Sequence, residues 1–291
     1  TKGWIPLEDD VVADEPVAPV TQKGLFTFGE NASQLNIRNL INSSGVIAAD
    51  ASGAGTARSS IAAASYGGDK AVFAYGAIDG ASSLKNLVNN SGVVAADVSG
   101  VGTARISPAA ASYGTDKAIF AYGITDSALV SVSNLVNNSG VIAADVTGVG
   151  TARRQLAAAG YGGDKAIFAF GYTSGNISLS NLVNNAGTVA ADVTGVGTAR
   201  RQLAAAAYGG DKAIFGFGTT GSLTNVSNKV SNSGVVASDT TGVGTVRRGI
   251  AATNYGGDKA LFAYGENASD PYYLSVKNLV NNAGTVAADV T

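Results

Sequence analysis

The chain has 291 residues, with 19 basic and 21 acidic residues and no cysteine, histidine or methionine. This near-balance of charge argues against nucleic acid and an anionic membrane surface as partners, and no apolar run is long enough for membrane insertion. Without histidine or cysteine, and without an evident pair of carboxylates, the sequence predicts a protein that is not an enzyme and holds no metal and no cofactor.

Residues 1–20 lie outside any repeated pattern. They contain the only tryptophan, Trp4, and two prolines, Pro16 and Pro19. They also carry a group of acidic residues, namely Glu8, Asp9, Asp10, Asp14 and Glu15. One interpretation of this segment is a partly extended tail, and the other is a strand that completes the first repeat.

Residues 21–291 repeat one pattern with a period of about 47 residues. The marker is Asp-Lys, followed by an apolar run and then Tyr-Gly or Phe-Gly. It recurs at intervals of 47, 48, 47 and 47 residues, at Asp69, Asp116, Asp164, Asp211 and Asp258. A degenerate copy over 22–29 precedes them. A fixed period of this length predicts a repeat architecture.

Each unit predicts four short strands. In the unit that begins at Arg153, they run over 156–161, 166–170, 179–183 and 188–193. The second strand is apolar at every position, so regular alternation would place Phe168 and Phe170 on one face and Ile167 and Ala169 on the other. A strand that is apolar on both faces must be covered on both.

The absence of predicted helices limits how these strands can be covered. Sheets stacked face to face around an axis bury both faces of every sheet, as in a β-propeller. Small side chains suit the crowded axis, so the Ala-rich first strand is expected to be innermost. The sequence therefore predicts an all-β fold, a six-bladed β-propeller with four antiparallel strands per blade, over residues 21–291.

The first unit is incomplete. The second, third and fourth strands occur six times, whereas the leading arginine and the Ala-rich strand occur five times. We expect residues 11–20 to supply the missing inner strand, antiparallel to residues 24–28. Gln22 and Lys23 would then form the turn, with Trp4 and the acidic residues outside the ring.

The repeated arginine allows two interpretations. In the first, it is an internal residue that caps carbonyl groups or pairs with an aspartate of the next blade, as buried arginines usually do. Alternatively, the arginines form a ring at one mouth of the channel that binds carboxylate, sulfate or phosphate groups. The five residues are Arg58, Arg105, Arg153, Arg200 and Arg247.

Two regions vary between the copies while the turns hardly change. They are the loop after the second strand and the residues just after the repeated arginine, and an up-and-down blade places both on one face. Variable loops on a rigid scaffold are typical of a binding surface, although loops that touch nothing also drift in sequence. The candidate ligand-binding residues in these regions are Arg154, Arg201, Tyr172, Tyr272 and Tyr273.

Two further motifs favour structural roles. Gly-Val-Gly-Thr-Ala-Arg is followed by a strand, whereas a phosphate-binding loop needs a helix to follow it. The aspartate of Ala-Ala-Asp offers one carboxylate per unit, too few ligands for calcium. We expect this aspartate to bond to nearby backbone in a turn.

The leading arginine, the small apolar strand, the glycine-containing turn and the aromatic strand that ends in glycine resemble a kelch repeat. The double glycine of kelch is reduced to Tyr-Gly or Phe-Gly, and the outer-strand tryptophan is absent. The sequence Asn-Leu-Val-Asn-Asn-Ser-Gly-Val-Val-Ala-Ala-Asp, with Gly-Val-Gly-Thr-Ala-Arg, also resembles repeats in structural proteins of tailed phages, especially those of marine cyanobacteria.

This second resemblance implies a virion or extracellular location. It implies a binding or adhesion module for host attachment, with a host-surface glycan or protein as the partner. The alternative is a structural spacer or assembly component without a ligand, whose partners are other virion subunits.

Overall fold

The computed structural model describes residues 24–269 and 272–291. These residues form seventeen β-strands and no helix, and so include no helix able to span a membrane. The fold of this part of the chain is all-β, as expected. The expected closing strand at residues 11–20 lies outside the described residues and stays a prediction. Trp4, which was expected to lie outside the ring, is also outside the described residues.

The strands form six antiparallel sheets, one for each repeat unit, and we number the units in chain order. The first sheet has two strands, β1 (Gly24–Glu30) and β2 (Gln34–Ile41). The other five have three strands each and are connected in simple order, with the Asp-Lys strand in the middle. Their strands are β3 (Ala62–Tyr66), β4 (Lys70–Ala74) and β5 (Lys85–Val88); β6 (Ala109–Tyr113), β7 (Lys117–Ala121) and β8 (Ser133–Val136); β9 (Ala157–Tyr161), β10 (Lys165–Ala169) and β11 (Ser180–Val183); β12 (Ala204–Tyr208), β13 (Lys212–Thr219) and β14 (Leu223–Val230); and β15 (Ala251–Tyr255), β16 (Lys259–Ala263) and β17 (Lys277–Val280).

The fourth predicted strand of each unit does not join the sheet as a regular strand. In the second unit this segment pairs with β5 at two isolated bridges, Val94 with Val88 and Val98 with Lys85. Between the bridges, the side chain of Asn86 donates to the Ala95 carbonyl at 3.0 Å and to Asp97 Oδ1 at 2.9 Å. Hydrogen bonds from the Asn86 side chain thus replace part of the backbone hydrogen bonding between β5 and this segment.

Neighbouring sheets pack face to face, and the contacts follow the chain order. The Ala-rich strands β3, β6, β9, β12 and β15 contact one another in succession, and each of the first four also contacts the middle strand of the next unit. The last of them, β15, contacts β1 of the first unit. The six sheets are therefore consistent with a β-propeller-like arrangement.

An aromatic pair lies at every junction between units, with ring centroids 5.3–6.0 Å apart. Five pairs join consecutive units, namely Phe28–Phe73, Tyr75–Phe120, Tyr122–Phe168, Phe170–Phe215 and Phe217–Phe262. The sixth pair, Phe26–Tyr264, joins the first unit to the last at 5.4 Å. The hydrophobic core is thus a series of layers between adjacent sheets.

The expectation that Phe168 and Phe170 share one face is wrong. Phe168 packs on Tyr122 of the third unit, whereas Phe170 packs on Phe215 of the fifth. The cause is the backbone of Phe170, whose φ of +62° interrupts the alternation of the strand. The aromatic residue before glycine has the same positive φ in every unit. Because of this turn of the chain, each sheet presents one ring to each neighbour.

The hairpin turn between the first and middle strands allows a test of backbone strain. The second residue of this turn has a left-handed backbone conformation, with a φ of +78° at Gly163 in the fourth unit and +71° at Thr115 in the third unit. A Cβ at Gly163 would meet nothing within 4 Å, so the cost of a side chain there is conformational.

We expect Thr115→Gly to raise the free energy of unfolding by about 0.5–1 kcal/mol, the ~1–2 kcal/mol left-handed penalty less the entropy cost of glycine. The reverse change, Gly163→Thr, should lower it by a similar amount. Urea unfolding of both variants measures the two effects, and a loss of stability in both would contradict this explanation.

Candidate functional site

The five repeated arginines are fully buried, each with 0% exposure. Arg153 shows the arrangement: its guanidinium lies 4.1 Å from the ring centroid of Tyr122, the aromatic residue of the preceding unit. Its Nε donates to the Phe170 carbonyl at 2.9 Å, its Nη1 to the Thr151 carbonyl at 3.1 Å and its Nη2 to Asn181 Oδ1 at 2.7 Å. The equivalent arginines stack in the same way at 3.9–4.2 Å.

The aspartate of Ala-Ala-Asp completes this network. Asp192 Oδ2 accepts from the backbone N–H and the hydroxyl of Thr151 at 3.0 and 2.6 Å, and its Oδ1 accepts from Asn181 at 2.9 Å. Burial alone would raise the pKa of Asp192, but these hydrogen bonds hold it below its ordinary value. We expected this aspartate to bond to nearby backbone. The backbone N–H that it accepts from instead belongs to Thr151, 41 residues earlier in the chain.

The arginines therefore act as internal residues, which was the first of the two interpretations. The carboxylate near Arg58 is Asp97 of the same unit, at 3.6 Å, and not an aspartate of the next unit. Burial lowers the pKa of Arg200 to about 10, which leaves it charged at neutral pH. Because these guanidinium groups are enclosed, we remove all five repeated arginines from the candidate ligand site: Arg58, Arg105, Arg153, Arg200 and Arg247.

The two variable regions lie together on one face, as the repeat pattern predicted. In five units the residue after the buried arginine forms a bridge with the residue after the aromatic-glycine pair. These bridges are Ser59 with Ala77, Ile106 with Ile124, Arg154 with Tyr172, Arg201 with Thr219 and Arg248 with Glu266. We call this surface, formed by the variable loops and the two residues after each buried arginine, the loop face.

A chain of backbone hydrogen bonds fixes the inner part of the loop face. Ser107 donates its N–H to Ser60 at 2.9 Å, Gln155 to Ser107 at 3.3 Å, Gln202 to Gln155 at 2.9 Å and Gly249 to Gln202 at 3.0 Å. All five residues have a positive φ, between +52° and +61°. Four of the five are not glycine, and strained backbone of this kind persists only where the surrounding structure holds it, so the loops stand on a rigid base.

The fourth and fifth units bring together three of the predicted site residues. The guanidinium of Arg201 lies 4.4 Å from the ring centroid of Tyr172, and that of Arg154 lies 5.7 Å from the same centroid. Arg201 also donates to Asn176 Oδ1 at 3.4 Å. All of these side chains are partly exposed.

The sixth unit brings together the other two. The rings of Tyr272 and Tyr273 meet edge to face at 4.9 Å, and each tyrosine is 42% exposed. The Tyr272 hydroxyl donates to Glu266 Oε2 at 2.7 Å, and Arg248 contacts that same oxygen at 3.1 Å. The hydroxyl of Tyr273 donates to the Asn31 carbonyl of the first unit.

An open groove of about 580 Å³ lies between the loops of the fifth and sixth units. Its lining includes Leu223, Thr245, Arg248, Asn267 and Tyr272. Arg248 and Glu266 were not among the predicted site residues. A signal for Arg248 was present, because it follows a buried arginine as Arg154 and Arg201 do.

In the part of the chain that the structure describes, no group of three or more acidic residues is placed to hold a metal ion. Comparison with protein-family models and with curated proteins gave no match.

Proposed function

We propose that the chain is a six-bladed, kelch-like β-propeller with four strands per blade. The contacts of β15 with β1 and the Phe26–Tyr264 pair support closure of the ring between the last unit and the first. The bridges of the fourth segments, such as Val94 with Val88, support a short outermost strand in each blade. Residues 1–20 are assigned to a tail, part of which completes the first blade.

We infer that this propeller is a non-catalytic binding and adhesion module of a virion. In this role it recognises a host-surface glycan or protein through the loop face. The observation that carries the proposal is the arrangement of that face: tyrosines and arginines on variable loops, set on a rigid base and beside a groove. The virion location rests on the resemblance of the repeats.

The chemistry of the loop face suits a sugar or a protein surface. Concave sites that combine apolar or aromatic walls with a few convergent polar groups are typical of ligand binding. Tyr272 offers an exposed ring beside the groove, and Arg248 and Asn267 offer hydrogen-bond donors at its wall. Tyrosine and arginine are also the residues that contribute most often to binding energy at protein interfaces.

A glycan array tests this proposal. We expect Tyr172→Ala and the double variant Tyr272→Ala/Tyr273→Ala to weaken binding at least about tenfold, equivalent to ~1.4 kcal/mol of lost contact. The matched control is Val235→Ala, because Val235 is 64% exposed and lies beyond the turn that follows β14, at the opposite end of the blade. An equal loss in the control, or no loss in the tyrosine variants, would contradict a site on the loop face.

One observation favours the second function, a structural spacer or assembly component. The outer segments expose valines in every unit, for example Val46 at 55%, Val93 at 50% and Val141 at 55%. An outermost edge with exposed apolar residues is suited to pairing with other subunits. Self-association that is abolished by Val93→Ser and Val141→Ser, without binding to any glycan or host protein, would favour this function.

A further inference from the structure

The charges of the loop face are segregated between units. In the second and third units, the loops carry Asp79 and Asp126, and no base follows the buried arginine. In the fourth and fifth units, Arg154 and Arg201 follow the buried arginines, and the loops 172–178 and 219–222 contain no acid. In these four units, the acidic and basic residues of the loop face therefore lie in different units.

The third exposed arginine differs from these two because it is neutralised within its own unit. Arg248 forms an ion pair with Glu266 at 3.1 Å and also donates to the Tyr272 hydroxyl at 3.2 Å. Among the described residues, Arg154 and Arg201 take part in no ion pair. The fourth and fifth units, which are adjacent, therefore each carry a guanidinium group that is not paired with a carboxylate.

Both of these charges lie beside the same ring, that of Tyr172. Both guanidinium groups lie within 6 Å of its ring centroid, at 4.4 and 5.7 Å, where the ring attracts a cation. The bridge between Arg154 and Tyr172 fixes one side of the cluster, and the contact of Arg201 with Asn176 fixes the other. An anion beside either guanidinium would accept hydrogen bonds from it and offset its charge.

We propose that Arg154, Tyr172 and Arg201 form a binding site for the anionic groups of an acidic glycan, such as carboxylates or sulfate esters. Arginine matches both groups because its planar fork donates two parallel hydrogen bonds. The three side chains are partly exposed, so a charged group on a long polymer can reach them. This inference rests on the proposed function and names its ligand class.

Binding of the full chain to immobilised polymers tests the proposal. The probes are heparin for sulfate, polygalacturonate for carboxylate, polyphosphate for phosphate, and dextran as the neutral control. We expect binding to at least one of the two acidic glycans at ~150 mM salt, with little binding to dextran. Arg154→Gln and Arg201→Gln should each weaken it at least about tenfold, equivalent to ~1.4 kcal/mol, since each removes a charge-assisted hydrogen bond to the glycan.

Lys165→Gln is the matched control, because it removes one positive charge from the same unit as Arg154, at the turn between β9 and β10, where Asp164 pairs with it at 2.7 Å. We expect it to change affinity less than about twofold, because Lys165 lies at the end of its unit opposite the proposed site. Thermal unfolding of each variant shows whether the fold is retained; a change in Tm with unchanged affinity would contradict the site.

The outcomes separate this inference from the function on which it rests. Binding to neutral glycans that is insensitive to Arg154→Gln and Arg201→Gln would overturn the anion site and leave the binding function intact. An equal loss in Arg154→Gln, Arg201→Gln and Lys165→Gln would show attraction to overall charge and would also overturn the site. Binding to polyphosphate alone would overturn the acidic-glycan class, and binding to no glycan or host protein would contradict both proposals.

Discussion

Replacing Phe168 with alanine is expected to lower the free energy of unfolding by about 3–5 kcal/mol, as truncation of a buried phenylalanine does. Phe168 is 0% exposed and packs edge to face on Tyr122, with 5.5 Å between the ring centroids. The change therefore leaves a cavity between the third and fourth units, and packed sheets on both sides limit its collapse.

Urea unfolding of Phe168→Ala measures this loss. The control is Tyr272→Ala, which removes an aromatic side chain that is 42% exposed and should cost only about 0.5–1.5 kcal/mol, the value for its contact with Tyr273. A loss below about 1 kcal/mol for Phe168→Ala would place this strand at the surface and contradict the layered core.

Deletion of residues 1–20 is expected to lower Tm sharply, by roughly 5–10 °C for a loss of a few kcal/mol in a chain of this size, or to cause association. Within the described residues, β1 pairs with β2 alone. If residues 11–20 form the inner strand of the first blade, their removal exposes the edge of β1. An open edge of this kind invites pairing with another chain.

A shorter deletion and a substitution sharpen this test. Deletion of residues 1–9 should have little effect, because it spares the expected strand. Val11 lies 47 residues before Arg58 in the repeat register, so Val11→Arg should place a guanidinium beside Tyr264 and Asn39 and raise Tm. A monomer of unchanged stability after the long deletion would show that residues 11–20 are not the closing strand.

The repeat period and the doubly apolar middle strand were sufficient to predict the sheets and their layered packing. The copy-to-copy variation was sufficient to predict the loop face, because the two variable regions are joined by bridges such as that of Arg154 with Tyr172. Both predictions depend on patterns that recur in every unit, which a single sequence can show.

The features that the sequence did not predict depend on backbone angles and on partners far along the chain. Phe170 faces away from Phe168 because its φ is +62°, a conformation that is rare for an aromatic residue. The partner of Asp192 is Thr151, which belongs to the segment that enters the same unit. The neutralisation of Arg248 depends on Glu266, which lies in the longest of the variable loops.

A double-mutant cycle on Phe26 and Tyr264 tests closure of the ring most directly. The two rings meet at 5.4 Å, although the residues lie at opposite ends of the described chain. We predict a coupling energy of about 0.5–1.5 kcal/mol, the value for an aromatic pair. The pair Tyr75 and Phe120, which joins units adjacent in sequence, serves as the positive control. Coupling at Tyr75–Phe120 with none beyond about 0.3 kcal/mol at Phe26–Tyr264 would contradict a closed ring and indicate an open array of sheets.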